Sequence, residues 1–445
     1  MELSSFTIRR LSDLLERREI SSRQIVEDCL RAIAEKDGEL KAFVSVFEDG
    51  ALAAADAADR EIRSGRRRGP LHGIPVAVKD LADIAGWPTG FGSRAYATGT
   101  AATDAVFVER LRKAGAILLG KTQMVEFAFG SWGTNYSLGS PINPLDPETP
   151  RVAGGSSSGS GVAVAAGMVP LAIGSDTGGS VRIPASLCGI VGLKTSTGLV
   201  SMQGVAVLSH TFDTINPMAR TVEDTTLALA ALSDFTAASE RQALSELRFA
   251  VVEEDQLAPL EATVAGSRQR FLHLLESAGC RLETFRFPLE LAEIQARNGA
   301  IMTYEAYSTL QALIDDPAAD LDPHVRQRIR GGADISAADY DGLLRQRAQD
   351  IGDFRALFAG FDILILPTTP LVAPTFSEVD ESRIPLSRLT RAGNYYDLCG
   401  ISLPCTPPRQ PLPTGLQLLM RHGEDARLLA VAAGIESLLA CADLP

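Results

Sequence analysis

The fold of this chain is decided by the stretch Gly174-Ser175-Asp176-Thr177-Gly178-Gly179-Ser180-Val181-Arg182-Ile183-Pro184. An apolar run over 169–174 leads into it and predicts a buried strand, and the Gly-Gly-Ser segment predicts a tight turn directly after that strand. Several backbone N–H groups in such a turn point to the same side and form a nest that suits an anion. The stretch therefore predicts a strand that ends in an oxyanion-binding loop.

Two other segments point to the same kind of chemistry. Residues 69–80 predict a turn and a short buried strand ending at Lys79, and residues 154–160 form a Gly/Ser loop before a small-residue helix. Burial favours the neutral form of a lysine, which can then accept a proton from a serine, directly or through a second hydroxyl. The same residues also fit a buried, hydrogen-bonded lysine beside two tight turns. The residues alone leave both interpretations open.

The rest of the chain alternates between predicted strands and helices, which is typical of an α/β fold with a mixed sheet between helices. Strand patterns occur at 116–119, 190–193, 362–366 and 416–419, and helical patterns at 6–36, 104–114 and 424–439. Residues 235–355 are richer in charge and helical periodicity, and we interpret them as a more variable helical layer. Without a repeat or a Pro/Ser linker, we expect residues 1–445 to form a single large domain.

Composition narrows the possible functions. The 445 residues carry 42 basic and 55 acidic side chains, a net charge of −13, which disfavours binding to a phosphate backbone. Five histidines without an HExxH pattern and six scattered cysteines without CxxC give no support for a metal site or a disulfide framework. No signal peptide or membrane span is evident, so we expect a cytoplasmic protein that needs no metal or other cofactor and binds neither nucleic acid nor membrane.

Two short motifs match other enzyme classes. Residues 115–122 fit the P-loop pattern of NTPases, but the middle of the match is a predicted strand, where a phosphate-binding loop is required. Residues 155–159 fit the GxSxG elbow of Ser-His-Asp hydrolases, yet 150–154 make a poor strand. His210 is the best available histidine partner for that triad. The P-loop NTPase remains the alternative from a different class.

Taken together, these segments resemble the amidase signature family of serine hydrolases. The resemblance covers 69–80, 115–127, 154–167, 171–194 and 209–224, together with the C-terminal strand and helix after Gly415, and 174–184 is highly specific for the family. It implies a Ser–cis-Ser–Lys triad with Ser180 as the nucleophile, Ser156 as the cis-serine and Lys79 as the base. It also implies oxyanion donors from the backbone of Thr177, Gly178, Gly179 and Ser180. The implied supporting residues are Ser157, Asp176 and Arg182.

The resemblance implies an amidohydrolase that forms an acyl-enzyme and releases ammonia or an amine from a carboxamide, carbamate or urea derivative. In this family the segment after the Glu-Phe-Ala motif helps line the acyl pocket, so we expect an apolar or aryl wall here. The candidates for this wall are Phe127, Phe129, Trp132 and Tyr136, with Tyr395 and Tyr396 as weaker ones. The aromatic residues could equally pack the core. The expected partner is a small-molecule amide, a homodimer is possible, and the alternative is the glutaminase subunit of a tRNA-dependent amidotransferase.

Overall fold

The strand expected before the Gly-Gly-Ser turn is present as Leu171–Asp176 in the computed structural model, which describes residues 2–96, 99–238, 242–383, 385–406 and 410–442. The strands of this part of the chain are β1 Phe43–Val46, β2 Pro75–Lys79, β3 Ile117–Thr122, β4 Leu171–Asp176, β5 Val191–Lys194, β6 Thr214–Ala219, β7 Arg248–Val252, β8 Arg281–Phe285, β9 Ile363–Pro367, β10 Leu398–Pro404 and β11 Gly415–Arg421. They form one sheet in the order β1-β3-β2-β4-β6-β5-β10-β11-β9-β7-β8.

The sheet is mixed. Strand β2 runs parallel to both β3 and β4, and β7 runs parallel to β8 and β9, whereas the pairs in the middle of the sheet are antiparallel. Most of the central strands are buried along their whole length, which explains why they appear in the sequence as continuous apolar runs.

Helices flank this sheet and cover its apolar residues. The helices of the described residues are α1 Ile8–Glu16, α2 Ser22–Leu40, α3 Glu48–Arg63, α4 Val106–Lys113, α5 Ser158–Ala165, α6 Arg182–Cys188, α7 Val222–Leu232, α8 Glu254–Leu257, α9 Ala262–Ser277, α10 Leu291–Ile314, α11 Pro323–Arg330, α12 Ala337–Phe358, α13 Arg391–Tyr395 and α14 Asp425–Ala442. Short 3-10 turns lie at Leu3–Ser5, Glu126–Ala128, Leu244–Glu246, Gly331–Asp334, Phe376–Glu378 and Pro385–Ser387. The expected α/β fold with a mixed sheet between helices is confirmed.

The segment 235–355, expected to be a more variable helical layer, contains two strands as well as helices. Helices α8 to α11 and most of α12 lie in it, and so do strands β7 and β8, which extend the sheet at one edge. Each of these strands has only five residues, and β8 is largely exposed, so its sequence lacks the apolar run of a buried strand. No helix among the described residues is long and apolar enough to cross a membrane.

Candidate active site

The end of strand β2 brings Lys79 beside the end of strand β4. Val78 pairs with Ile173 in this parallel ladder, so Lys79 and Ser175 leave the sheet at the same edge. The lysine side chain is 1% exposed, and its Nζ lies 2.7 Å from Ser156 Oγ, 2.9 Å from Ser175 Oγ and 3.1 Å from Ser157 Oγ. Burial lowers the pKa of Lys79 to about 7, although the carboxylates of Asp213 and Asp176 oppose this shift.

The hydrogen bonds around Lys79 have a preferred direction. The Ser157 hydroxyl donates a hydrogen bond to the Ser175 carbonyl oxygen at 3.2 Å. Its oxygen is therefore the acceptor in the hydrogen bond with Lys79. A neutral amine has two N–H donors and one lone pair. When Lys79 is protonated, its Nζ donates to all three hydroxyls; when it is neutral and its two N–H groups donate to Ser157 and Ser175, its lone pair faces the Ser156 hydroxyl. The arrangement therefore suits Lys79 to accept a proton from Ser156.

The Gly/Ser loop approaches Ser180 through its backbone. The peptide bond between Gly155 and Ser156 is cis, and the next residue, Ser157, donates its N–H to the Ser180 carbonyl oxygen at 3.1 Å. Ser156 is fully buried, and Ser180 is 8% exposed. Helix α5 begins at Ser158, inside the segment 154–160 that the sequence predicts as a loop, so the loop is short and is held between the helix and the turn.

The turn from Thr177 to Ser180 is held from two sides. Gly179 has φ +123°, and its N–H donates to Asp176 Oδ1 at 2.8 Å, while Thr390 Oγ1 donates to the Gly178 carbonyl oxygen at 2.6 Å. The Gly179 N–H is thereby engaged within the loop. Among the described residues, the N–H groups of Thr177, Gly178 and Ser180 have no hydrogen-bond partner, so they are available to receive an oxyanion.

A buried ion pair lies under this turn. The Arg182 guanidinium contacts Asp176 at 3.0 Å, and both side chains are completely buried. Burial by itself raises the pKa of Asp176, but Arg182 more than offsets that effect and holds the pKa below its usual range. Arg182 also donates to Thr390 O, Asn394 Oδ1 and Gln417 Oε1 at 2.7–2.9 Å. Asp176 and Arg182 thus connect the turn to α13 and β11.

Two polar residues of the site were missed by the sequence analysis. The sequence pattern assigned no role to Ser175, yet its hydroxyl is one of the three hydrogen-bond partners of Lys79. Asp213 accepts a 2.6 Å hydrogen bond from Thr177 Oγ1 and two from the N–H groups of Leu208 and Ser209, and burial raises the pKa of Asp213 to about 6. Neither residue stands in a recognisable spacing relative to Lys79. Only the antiparallel pairing of β4 with β6 brings the start of β6 and its preceding loop to the turn.

A cavity of about 160 Å³ opens above Ser180. Its walls are mostly apolar, with two arginines. It is lined by Ala128, Phe129, Gly130, Ser131, Gly155, Thr177, Gly178, Ser180, Ile183, Leu208, Gly299, Met302, Thr303, Arg328, Ser387 and Arg391. Ser180 therefore lies at the base of a concave, largely apolar site of the kind that binds small molecules.

Of the aromatic residues considered for the acyl wall, the structure places only Phe129 in the cavity lining. Phe127 is fully buried and packs edge-on against Phe91 with ring centroids 5.6 Å apart. Trp132 packs behind the wall against Ile183, and its Nε1 donates to the carbonyl oxygens of residues 380 and 383. Tyr136 is 57% exposed.

The two C-terminal tyrosines also lie away from the cavity. Tyr395 donates its hydroxyl to Asp350 at 2.5 Å, and Tyr396 stacks on Phe354 with ring centroids 4.4 Å apart. Both rings are fully buried in the core. The wall of the cavity is therefore built from residues that are distant in sequence, among them Leu208 and Met302.

The alternative motifs do not form the sites they would require. Residues 117–122 of the P-loop match are strand β3, and Lys121 is buried with its Nζ 2.6 Å from the Pro88 carbonyl oxygen and 3.2 Å from Asp80. The segment therefore has no loop in which to hold phosphates. His210 is exposed, whereas Ser157 in the GxSxG match is fully buried.

Comparison with known proteins agrees with this geometry. The Amidase family model matches residues 24–429. The 2-amino-5-chloromuconic acid deaminase of Comamonas testosteroni is 34% identical over 96% of this chain and 94% of its own, and a glutamyl-tRNA(Gln) amidotransferase subunit of Moorella thermoacetica is 36% identical over 98% and 97%. A crystal structure of an amidase superposes with a TM-score of 0.90 at 31% identity, covering 97% of this chain and 99% of that one. The expected family is confirmed: the chain belongs to the amidase signature family and is an amidohydrolase that cleaves C–N bonds.

Proposed function

We propose that Ser180 is the nucleophile, Ser156 the proton relay and Lys79 the base of this amidohydrolase. The observation that carries the proposal is the burial of Lys79 among three serine hydroxyls, with no carboxylate of the described residues hydrogen-bonded to its Nζ. A lysine in this setting is partly neutral near pH 7 and can accept a proton, which an ion-paired surface lysine cannot do.

The reaction begins when Ser180 Oγ attacks the carbonyl carbon of the bound amide. Its proton passes to Ser156 Oγ as the Ser156 proton passes to Lys79 Nζ. The carbonyl oxygen becomes an oxyanion that receives hydrogen bonds from the N–H groups of Gly178 and Ser180, with Thr177 beside them. The Gly179 N–H already donates a hydrogen bond to Asp176 within the turn. Of the four expected donors, it is therefore the least available to the oxyanion.

Collapse of the tetrahedral intermediate breaks the C–N bond. The protonated Lys79 returns its proton through Ser156 to the departing nitrogen, so ammonia or an amine leaves and an acyl ester remains on Ser180. Water then attacks this ester with the same groups acting as base and acid. Hydrolysis releases the carboxylic acid and restores the Ser180 hydroxyl.

The nucleophile is tested by replacing Ser180 with Ala. We expect turnover to fall by about 10³-fold or more, since the covalent step is lost, and labelling by a fluorophosphonate probe to disappear. Ser158→Ala is the matched control, because Ser158 is a fully buried serine of the neighbouring Gly/Ser segment 154–160 whose Oγ has no hydrogen-bond partner among the described residues. The assay is ammonia or amine release from a panel of small amides, carbamates and urea derivatives. Labelling that persists in Ser180→Ala would contradict the assignment.

A glutaminase subunit is the second candidate, supported by the 36% identity to the amidotransferase chain of Moorella thermoacetica. It predicts ammonia release from L-glutamine that rises when partner subunits are added. If the chain is instead an amidase that needs no partner subunit, the purified chain alone should hydrolyse other small amides. Light scattering of the same sample tests whether the chain forms the homodimer that the sequence leaves possible.

A further inference from the structure

The cavity above Ser180 contains an arginine with no acidic partner among the described residues. Arg391, the first residue of α13, is 5% exposed and lines the cavity. Its Nε donates to Ser387 Oγ at 3.2 Å and its Nη1 to the Gln295 carbonyl oxygen at 3.0 Å, both of which are uncharged acceptors. Within the described part of the chain no carboxylate pairs with this guanidinium, and its Nη2 has no hydrogen-bond partner.

The other arginine of the cavity differs in this respect. Arg328 Nη1 contacts Glu381 Oε2 at 2.9 Å, and the Glu381 side chain is 5% exposed, so the charge of Arg328 is compensated within the protein. None of the described residues that line the cavity is an aspartate or a glutamate. The uncompensated positive charge inside the cavity therefore resides on Arg391.

The position of Arg391 is close to the reacting atoms. A Cβ placed on Gly178 would lie 3.5 Å from Arg391 Nε and 3.6 Å from Asn298 Oδ1, so both side chains stand beside the oxyanion turn. Both polar atoms of the fully buried Asn298 side chain lack a hydrogen-bond partner among the described residues. A Cβ on Gly299 would come within 2.9 Å of Arg391 Nη1, so glycine at this helical position leaves room for the guanidinium.

Burial lowers the pKa of Arg391 to about 10, so the guanidinium remains charged at neutral pH. Removing a charge from water is costly unless a counter-charge compensates it. The described residues supply none at this position, whereas a carboxylate on a bound ligand would supply one and would fit the planar donor arrangement of arginine.

We propose that Arg391 binds a carboxylate on the acyl part of the substrate, so that this enzyme prefers small amides of dicarboxylic acids. The inference rests on the proposed function, because it places the anionic group of the substrate in the cavity above Ser180.

The test compares substrates of equal length that differ in charge: succinamate with butanamide, and glutaramate with pentanamide. Wild type is expected to hydrolyse each acid with a kcat/KM about tenfold or more above that of its neutral partner. Arg391→Gln should lower kcat/KM for the acids by about 30-fold or more, the effect of removing one partner of a desolvated charge pair, and should leave the neutral amides within about threefold. Arg391→Lys, which keeps the charge, should retain an intermediate preference for the acids.

Arg383→Gln is the charge-matched control, because Arg383 is exposed and lies outside the cavity. It should leave both preferences unchanged. Thermal melting of each variant identifies any loss of folding, and the preference of Arg391→Lys reports on the charge if Arg391→Gln does not fold. An equal loss for acids and neutral amides in Arg391→Gln, or a wild type without preference for the acids, would overturn the inference.

A binding assay separates this inference from the proposed function. Succinate should protect Ser180 from a fluorophosphonate probe in wild type and in Arg383→Gln, but not in Arg391→Gln. Labelling without protection by succinate overturns only the role of Arg391. Failure of the probe to label Ser180 in wild type would overturn the proposed function, and the inference would fall with it.

Discussion

At the scale of single residues, Lys79 is the proposed base of the reaction. Because burial lowers the pKa of Lys79 to about 7, we expect kcat/KM to rise with pH along a limb centred near pH 7 as the amine loses its proton. Lys79→Arg should lose about 10²-fold or more, since a guanidinium stays protonated at these pH values. A pH–rate profile of wild type and Lys79→Arg with one neutral amide measures both effects.

The control for this limb is Asp213→Asn. The Asp213 carboxylate raises the pKa of Lys79, so its removal should shift the limb to lower pH without abolishing it. A limb that disappears in Asp213→Asn would mean that Asp213, whose own pKa is about 6, produces it.

The burial of Lys79 also affects stability. Between about pH 7 and 10.5 the folded protein binds fewer protons at Lys79 than the unfolded chain does, so the contribution of Lys79 to the free energy of unfolding rises with pH across that window.

At the scale of elements, the turn between β4 and α6 depends on glycine at position 179. A Cβ there would overlap Thr390 Oγ1, and φ +123° is a conformation that side chains rarely adopt. We expect Gly179→Ala to displace the turn from α13, to lower the free energy of unfolding by about 1–3 kcal/mol and to remove most activity. Urea unfolding and turnover of one amide measure the two effects.

Gly198→Ala provides the comparison for that prediction. Gly198 also has a positive φ, +82°, but an added Cβ would meet no atom within 4 Å. It should lose some stability through the backbone conformation and keep its activity. Equal loss of activity in both variants would show that the contact between the turn and Thr390 is not what positions the N–H groups.

At the scale of the whole molecule, the ion pair of Asp176 and Arg182 joins the Gly-Gly-Ser turn to elements more than 200 residues later in the chain. Arg182→Gln leaves Asp176 buried without its counter-charge, which should cost about 3–5 kcal/mol of stability. Arg248→Gln breaks an exposed pair with Glu283 and should cost about 1 kcal/mol or less. Urea unfolding of the two variants gives the comparison, and similar losses would contradict the structural role of the buried pair.

The strand that ends at Lys79, the strand before the Gly-Gly-Ser turn and the helices within 6–36 could all be predicted from the sequence. Apolar runs and hydrophobic periodicity are properties of neighbouring residues, so they can be recognised locally. The resemblance to the family is also a local property, since residues 174–184 are its most specific segment.

Only the tertiary structure decided which side chains meet at the site. Sheet order places β2 next to β4, and this pairing brings Ser175 to Lys79, while the packing of α13 and α10 brings Arg391 to the cavity and leaves Trp132 behind its wall. These contacts join residues that are far apart in the sequence. They depend on strand order and on helix packing, which are set by the burial of the whole core and leave no spacing that a local pattern could reveal.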